Sequence, residues 1–469
     1  MMKTTTISLL LLSSLVLSSC GTARRAGQIE NSRSFVCIDK TDPHYFSLSN
    51  GEPYIAIGCN IAAVSDSLML EHYMKELSRN GANFARVWLN SEFFEIETEY
   101  GNWNWTNVAH IDRLLQLADS YGIKVKMCIE SFRKILPGAN KWDTKASYHI
   151  SNHGPFVDMQ QYISSQEGRD EYLRRLAFLQ KRYGDNPAVF GWELWNEMNA
   201  VEADDIEEWN RYMLPKVHEM FPRNLVMQSL GSLDRAASLP IYMYINSLAT
   251  NDVMQVHRYV DLGAELNICG APIDSLASDA VGVLRSYGIE KPIMLAECGA
   301  VKPSHTGPNP IYLADSLGTV LHDFLFAPFF CGAAGCGQLW HWDHYIDNMN
   351  VWFQIGRFSK AVEGLNPASE RFVPYRNDNE RLKIYTLVGK NHIVAWCRDK
   401  RSTWQSELVD GLVAETVGGQ IIDFSKWVNT DISSVEIYDP WKDVVIRSDA
   451  SPRVELPDFK RSTVVRISF

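Results

Sequence analysis

Two glutamates stand where apolar runs give out. Gly191-Trp192-Glu193-Leu194-Trp195-Asn196-Glu197 puts a carboxylate at Glu197, on the lip of an otherwise apolar strand, and Ile293-Met294-Leu295-Ala296-Glu297-Cys298-Gly299 does the same at Glu297. One glutamate at a strand end is ordinarily a solvated loop residue. Two of them, each after a buried strand, fit hydrolysis of an acetal, in which one carboxylic acid protonates the leaving oxygen and a second, ionised carboxylate supports the oxocarbenium-like carbon. Such a pair works when its surroundings push the two pKa values apart.

A repeating unit has to position them. Between Tyr54 and about Leu365 a short apolar run, a polar loop, an amphipathic helix and a glycine recur. Leu70, Tyr73, Met74 and Leu77 fall at i, i+3, i+4 and i+7, as do Ile111, Leu114, Leu115 and Ala118. Helix stops with left-handed glycines are expected at Asn80-Gly81, Tyr121-Gly122, Tyr183-Gly184 and Tyr287-Gly288. The extended runs are Tyr54 to Asn60, Asn83 to Leu89, Ile123 to Glu130, Ala188 to Asn196, Leu225 to Leu230, Val253 to Tyr259, Pro292 to Glu297 and Ala334 to Trp342. They are almost continuously apolar, as parallel strands covered on both faces must be. Eight such strands alternating with helices predict an α/β chain with a (β/α)8 TIM barrel. No Gly-x-Gly-x-x-Gly follows any run, which argues against a dinucleotide fold. The fourth and seventh strands of a barrel face each other, so Glu197 and Glu297 can share one cleft.

The longest interruption, Ser131 to Gly168, carries Trp142, Tyr148, His149, His153 and Phe156 and is expected to wall the cleft. Trp103, Trp105 and Trp142 could stack on sugar rings or anchor loops. From about Arg371 the runs Leu382 to Val388, His392 to Trp396, Val435 to Tyr438, Val444 to Arg447 and Thr463 to Phe469 are separated by turns without helices. A small, sandwich-like all-β domain is expected there, with a packing role favoured over glycan binding. The expected division is a leader over 1–19, a tether over 20–34, the barrel over 35–368 and the β-domain over 371–469.

Composition narrows the partner. The chain has 469 residues, 46% hydrophobic and 22% charged, which excludes disordered and collagen-like readings. Its 45 basic against 56 acidic residues give a net charge of −11 without a basic run, so nucleic acid is not an expected partner. A neutral or weakly charged substrate is. No Cys-x-x-Cys or His-x-x-x-His pair offers a zinc site, and the His341-x-Asp343-His344 cluster lies too close in one loop to converge readily. No metal or cofactor is expected.

Trp-Glu-Leu-Trp-Asn-Glu, ending at Glu197, resembles the fourth-strand Asn-Glu motif of clan A glycoside hydrolases, family 5 in particular. The resemblance implies that Glu197 is the acid/base and that Glu297, in Leu-Ala-Glu-Cys-Gly, is the nucleophile of a retaining mechanism. It further implies that Arg86 hydrogen-bonds the nucleophile and that Asn196 holds the sugar 2-hydroxyl. His257 and Tyr259 match the sixth-strand pair, and Trp340 matches the aromatic platform after the eighth strand. Taken from the residues alone, Arg86 could instead pair with Glu193 in the core, His257 could be a core histidine and Trp340 could be packing. A histidine common near the family's third strand has no match; Cys128-Ile129-Glu130-Ser131 stands there. Phe46 to Tyr54, Gly58-Cys59-Asn60 and Ala85-Arg86-Val87-Trp88 are most similar to the mannanase branch. The resemblance therefore implies a β-glycosidase, endo or exo, acting on a plant-type β-glycan, with β-mannan first. A silent glycan-binding protein and a transglycosylase are the rivals.

Lys3, the apolar stretch Ile7 to Leu17 and Leu17-Ser18-Ser19-Cys20-Gly21 read as a secretory leader. Its ending resembles the lipobox of bacterial lipoproteins, which implies acylation of Cys20, a lipid membrane as partner and a location in a bacterial cell envelope, with Thr22 to Asn31 as tether. Apart from Cys20, the cysteines are not spaced as a disulfide scaffold; Cys59, Cys128 and Cys298 look like buried thiols, and Cys331 and Cys336 could bridge.

Overall fold

The computed structural model describes residues 33–135 and 145–469. The leader, Cys20 and Trp142 lie outside the described residues. Five parallel strands pair in the order β4 (Gly58–Asn60), β5 (Phe84–Trp88), β6 (Lys124–Glu130), β7 (Val189–Trp195) and β8 (Leu225–Met227). β9 (Met254–Val260) and β10 (Ile293–Ala300) form a second parallel pair. Between β8 and β9 the ladder gives way to single bonds, Asp252 N–H to Val226 O at 2.8 Å and Leu233 N–H to His257 O at 2.9 Å. Helices follow the strands and complete a (β/α)8 barrel: α1 (Ser67–Arg79), α2 (Trp105–Tyr121), α3 (Met159–Ser164), α4 (Gln166–Tyr183), α5 (Ile206–Met220), α6 (Leu239–Ser247), α7 (Ile273–Arg285), α8 (Thr319–Phe330) and α9 (Phe353–Val362).

The apolar stripe of α1, Leu70, Tyr73, Met74 and Leu77, is buried as its spacing requires, and Asp66 caps the helix by accepting from Leu68 and Met69 N–H. Gly122 closes α2 in the left-handed conformation (φ 69°). Gly184 does not: it stays right-handed at φ −60°, so α4 ends without the left-handed cap that its glycine suggests. The eighth run also departs from expectation. Residues 334–342 form isolated bridges, Ala56 to Gly335 and Cys298 to Leu339, instead of a ladder. They still close the ring, through Ala334 N–H to Ile293 O (2.9 Å) on one side and Asn60 N–H to Leu339 O (3.1 Å) on the other. The backbone is packed closely here: a Cβ at Gly335 would stand 2.3 Å from Ala56 O, and one at Gly337 would stand 2.4 Å from Phe324 O, so both positions require glycine.

An antiparallel meander, β1 (Val36–Ile38), β2 (Phe46–Leu48) and β3 (Pro53–Tyr54), precedes the barrel. It packs Phe46 edge-on to Phe190 at the start of β7, with ring centroids 5.3 Å apart, and so plugs the end opposite the glutamates.

The C-terminal region is a six-stranded antiparallel sheet, ordered β11 (Val373–Arg376), β12 (Leu382–Val388), β13 (His392–Asp399), β18 (Ser462–Ser468), β15 (Ser434–Asp439) and β16 (Val444–Ser448). The facing layer is only the ribbon of β14 (Ile421–Asp423) and β17 (Arg453–Glu455). Ile384, Ile393, Ile437 and Val465 pack against that ribbon. Tyr385, Trp396 and Val464 on the other face belong to the barrel's own core. Buried charges fix that seam: Arg398 makes two 2.9 Å bonds to Asp323 on α8, and Lys383 and Tyr385 hold Asp274 on α7 at 2.7 and 2.6 Å. Arg398→Ala strands a buried carboxylate and is expected to cost about 3 to 5 kcal/mol. Denaturant unfolding should show one transition, with barrel and sheet signals lost together; a sheet that melts alone would contradict the shared core.

Candidate active site

Glu197 sits two residues beyond β7 with φ 54° and ψ 54°, a left-handed conformation that a glutamate adopts only when its surroundings compel it. Ser229 contributes, accepting the Glu197 N–H at 3.1 Å. Glu297 lies within β10, not at its end; the register against β9 shifts between Leu295 and Glu297, a bulge that re-aims its side chain.

The two carboxylates meet at β9. His257 Nδ1 lies 3.0 Å from Glu197 Oε1 and 3.3 Å from Glu297 Oε2, and one oxygen of each glutamate and one ring nitrogen of His257 all fall within 4.8 Å of one another. Tyr259, on the same face at i+2, donates its hydroxyl to Glu297 Oε2 at 2.8 Å. Arg86 on β5 donates from Nη1 to Glu297 Oε1 at 2.5 Å, and also grips Glu193 with Nε (2.9 Å) and Nη2 (2.7 Å). Both readings of Arg86 thus hold at once. Its Nη2 also bonds Asn196 Oδ1 at 2.7 Å, which turns the Asn196 NH2 group away from the guanidinium. Trp340 lines the cleft beside Trp88, with ring centroids 4.9 Å apart. The cavity between these residues measures about 350 Å³.

Charge is distributed unequally. Burial pushes the Glu193 carboxyl up, but Arg86 and Lys126 beside it hold it well below the usual carboxylate range. Burial raises Glu197 too, yet the His257 hydrogen bond and the nearby Arg133 guanidinium hold it well below the usual carboxylate range. Tyr259 is pushed well above its usual value by burial and by the Glu297 charge, so it remains a donor.

Several contributors went unread in the sequence. Lys126 pairs with Glu193 at 3.0 Å, Asn60 accepts from Arg86 at 3.1 Å, and Arg133 forms an ion pair with Glu197 Oε2. Lys126 and Glu193 carried a signal, being charges inside apolar strands that must find partners. Arg133 and His305 carried none, because they sit in irregular segments. His305 is pinned by Asp261 at 3.0 Å on a turn where Ser304 and His305 both have positive φ.

Other candidates lie elsewhere. Trp103 stacks on Phe178 at 4.3 Å, and Trp105 packs edge-on to the same ring, so both anchor α2 to α4 rather than line the cleft. In the His341-Asp343-His344 cluster, His341 Nδ1 meets Tyr312 OH at 3.0 Å while His344 pairs with Asp343 at 2.7 Å. Among the described residues, the acids and histidine that converge as a cation site would need are Glu197, His257 and Glu297. Arg86 and Arg133 already supply positive charge there. Cys331, Cys336 and the other described cysteines are free thiols.

The family model described as "Cellulase (glycosyl hydrolase family 5)" matches residues 48–314. The chain belongs to this family. It is accordingly a retaining glycoside hydrolase, and its site is to be read as one. Mannan endo-1,4-beta-mannosidase 7 of Arabidopsis thaliana is 23% identical over 302 residues, 56% of this chain and 68% of that protein. Mannan endo-1,4-beta-mannosidase F of Aspergillus clavatus is 22% identical over 312 residues, 60% of this chain and 68% of that one. Among solved structures, a family 5 glycoside hydrolase from Bacteroides vulgatus superposes with a TM-score of 0.58 at 13% identity, covering 94% of this chain and 93% of the other. The endo-1,4-beta-mannanase of Rhizomucor miehei gives 0.51 at 17% identity over 70% and 100%. At these identities the superpositions establish the barrel fold.

Proposed function

We propose that this family 5 enzyme hydrolyses β-mannan with Glu297 as nucleophile and Glu197 as acid/base. The observation that carries the reading is the convergence of the two carboxylates on His257 with oxygens within 4.8 Å. Retaining pairs stand about 5 to 5.5 Å apart, whereas an inverting pair needs about 6.5 to 9.5 Å to admit water.

In the first step a Glu297 oxygen attacks the anomeric carbon and the glycosidic C–O bond breaks. Its electron pair goes to the leaving oxygen, which takes the Glu197 proton. In the second step water attacks the same carbon, Glu197 takes the water proton, and the bond to Glu297 breaks. Arg86 and Tyr259 hold Glu297 from two sides and fix its approach. In this reading Asn196, oriented by Arg86, holds the 2-hydroxyl, and Trp340 in the cleft lining supports the sugar face.

Mannan is favoured by the relatives named above and by the mannanase-like stretches around Phe46 to Tyr54 and Ala85 to Trp88. The acylated Cys20 and the envelope location belong to the same proposal, resting on the Leu17 to Gly21 sequence. β-Mannan, β-glucan and xylan oligosaccharides, followed by proton NMR of the first-formed product, test substrate and stereochemistry together. Mannan cleavage releasing the β anomer is expected. Preference for glucan or xylan would reassign the substrate, and an α product would defeat the mechanism.

A further inference from the structure

Both oxygens of Glu197 are occupied, and by unlike partners. Oε1 faces His257, which is fully buried and held between the two carboxylates. Oε2 is ion-paired with Arg133, whose side chain is 54% exposed. The backbone at Arg133 is nonetheless fixed next to the chain that follows Glu197. Glu202 N–H donates to Arg133 O at 2.7 Å, and Trp195 Nε1 donates to Phe132 O at 3.0 Å. The guanidinium therefore hangs from a firm base into the cleft, where its head can move and its Cα cannot.

An oxygen that carries a guanidinium is not free to carry a proton to a leaving group, and Oε1 is turned into the protein. General acid catalysis from Glu197 requires Oε2. We propose that Arg133 is a displaceable counter-ion of Glu197. It holds the carboxylate ionised and aimed while the cleft is empty, and the leaving-group sugar moves it off Oε2, so that Glu197 takes up its proton only when that side of the cleft is filled. This inference rests on the acid/base reading of Glu197.

An ion pair open to solvent on one side is easily exchanged. A sugar ring in place of water around Glu197 then favours the neutral acid by desolvation. The displaced guanidinium, with its five N–H donors, stays on the leaving-group side, where sugar hydroxyls can accept from it.

The other groups facing Glu197 do not share this freedom. His257 projects from β9 and is fully buried; Glu297 on β10 is buried beyond the shared imidazole and accepts from the Tyr259 hydroxyl. His305 projects from the segment after β10 and is tied to Asp261 and to Ser232. Tyr242 lies behind the site with its hydroxyl bonded to Gly231 O at 2.6 Å. Ser229 and Asn196 are neutral. Arg133 is a positioning residue in this scheme: it acts through Glu197.

The test compares the wild type with Arg133→Gln and Arg133→Lys on β-1,4-mannopentaose, with cellopentaose in parallel, across pH. The ratio kcat/KM reports ionisations of the free enzyme and kcat those of the complex. In Arg133→Gln the basic limb of kcat/KM is expected to move up by about one pH unit or more, while the basic limb of kcat stays where the wild type has it. Arg133→Lys, which keeps the charge, should fall near the wild type in both. A 2,4-dinitrophenyl β-glycoside, whose leaving group departs without a proton, should show no such shift. Titration of 13C-carboxyl-labelled glutamates in the free protein gives the same answer without turnover, with the Glu197 resonance titrating higher in Arg133→Gln.

A kcat/KM limb and a Glu197 resonance that do not move in Arg133→Gln would overturn the proposal; so would equal shifts in kcat and kcat/KM. Glu197→Gln separates this failure from that of the underlying reading. If Glu197→Gln still cleaves pentaose at the wild-type rate, the acid/base assignment falls. If it is inactive while Arg133→Gln leaves both limbs in place, only the role of Arg133 falls.

Discussion

Glu297→Ala is expected to lower kcat by roughly 10⁴-fold or more, because it deletes the atom that forms the covalent intermediate. Glu197→Ala should cost about 10²- to 10⁴-fold with a sugar leaving group and much less with a dinitrophenyl one. Azide tells the two apart. In Glu297→Ala it occupies the vacated space beside Arg86 and Tyr259 and displaces the leaving group directly, giving the α-glycosyl azide from a β substrate. In Glu197→Ala it attacks the glycosyl-enzyme that Glu297 still forms, and the product is the β-glycosyl azide. Circular dichroism of both variants beside the wild type separates loss of chemistry from loss of fold. Turnover that survives either change, or the opposite pairing of variant and azide anomer, would reject the assignment.

How far the sequence reaches depends on what kind of segment carries a residue. Glu197, His257, Tyr259, Glu297 and Arg86 lie on or just past barrel strands, and a strand's fixed rise and alternation deliver them to one mouth. The repeat brings Glu197 and Glu297 to one cleft; that Arg86, His257 and Tyr259 join them was implied only by the resemblance to family 5, and the bulge that re-aims Glu297 had no sequence signal. The charges beneath them were readable by a weaker rule. Lys126 and Glu193 interrupt apolar strands, and a buried charge needs a partner; only the identity of the partner required coordinates. Arg133 and His305 obey neither rule, because irregular backbone has no period to project. The eighth strand failed for a related reason. Its residues Ala334 to Trp342 are apolar enough to read as a strand, yet they bond to both neighbours through isolated bridges at Gly335 and Leu339, and apolarity alone does not tell a ladder from single bridges. In the C-terminal region the strands were legible but the layers were not. Trp396 and Tyr385 look like any inward-facing aromatics, and nothing local shows that they face the barrel and leave a two-stranded ribbon to cover the other side.

Arg86 joins the site to the fold, so its loss should appear in both rate and stability. It is fully buried, and its donors make five bonds: two to Glu193, one each to Asn196, Asn60 and Glu297. That count equals the number of guanidinium N–H groups, which leaves none unsatisfied. Lysine offers three donors on a point charge and cannot span carboxylates on β7 and β10 together. Arg86→Lys is therefore expected to lower kcat/KM by about 10²-fold or more through misplacement of Glu297 and Asn196. It should also destabilise the protein by about 3 to 5 kcal/mol, since part of a buried carboxylate pair goes uncompensated. The sign of the pH dependence follows from Glu193, whose carboxyl Arg86 and Lys126 hold well below its ordinary value. Stability from such a depressed carboxyl is present above the unfolded value, about 4.3, and is lost as pH falls towards the folded one. The gap between wild type and Arg86→Lys should then be widest at neutral pH and narrow steadily in acid, as protonation relieves the stranded charge in the variant and removes the ion pair's benefit in the wild type. Urea unfolding of both proteins from pH 7 to pH 3 measures this directly. A gap that is constant across that range would mean that Arg86 stabilises by packing alone, and that the charge network joining Glu193 to Glu297 contributes nothing to holding the nucleophile in place.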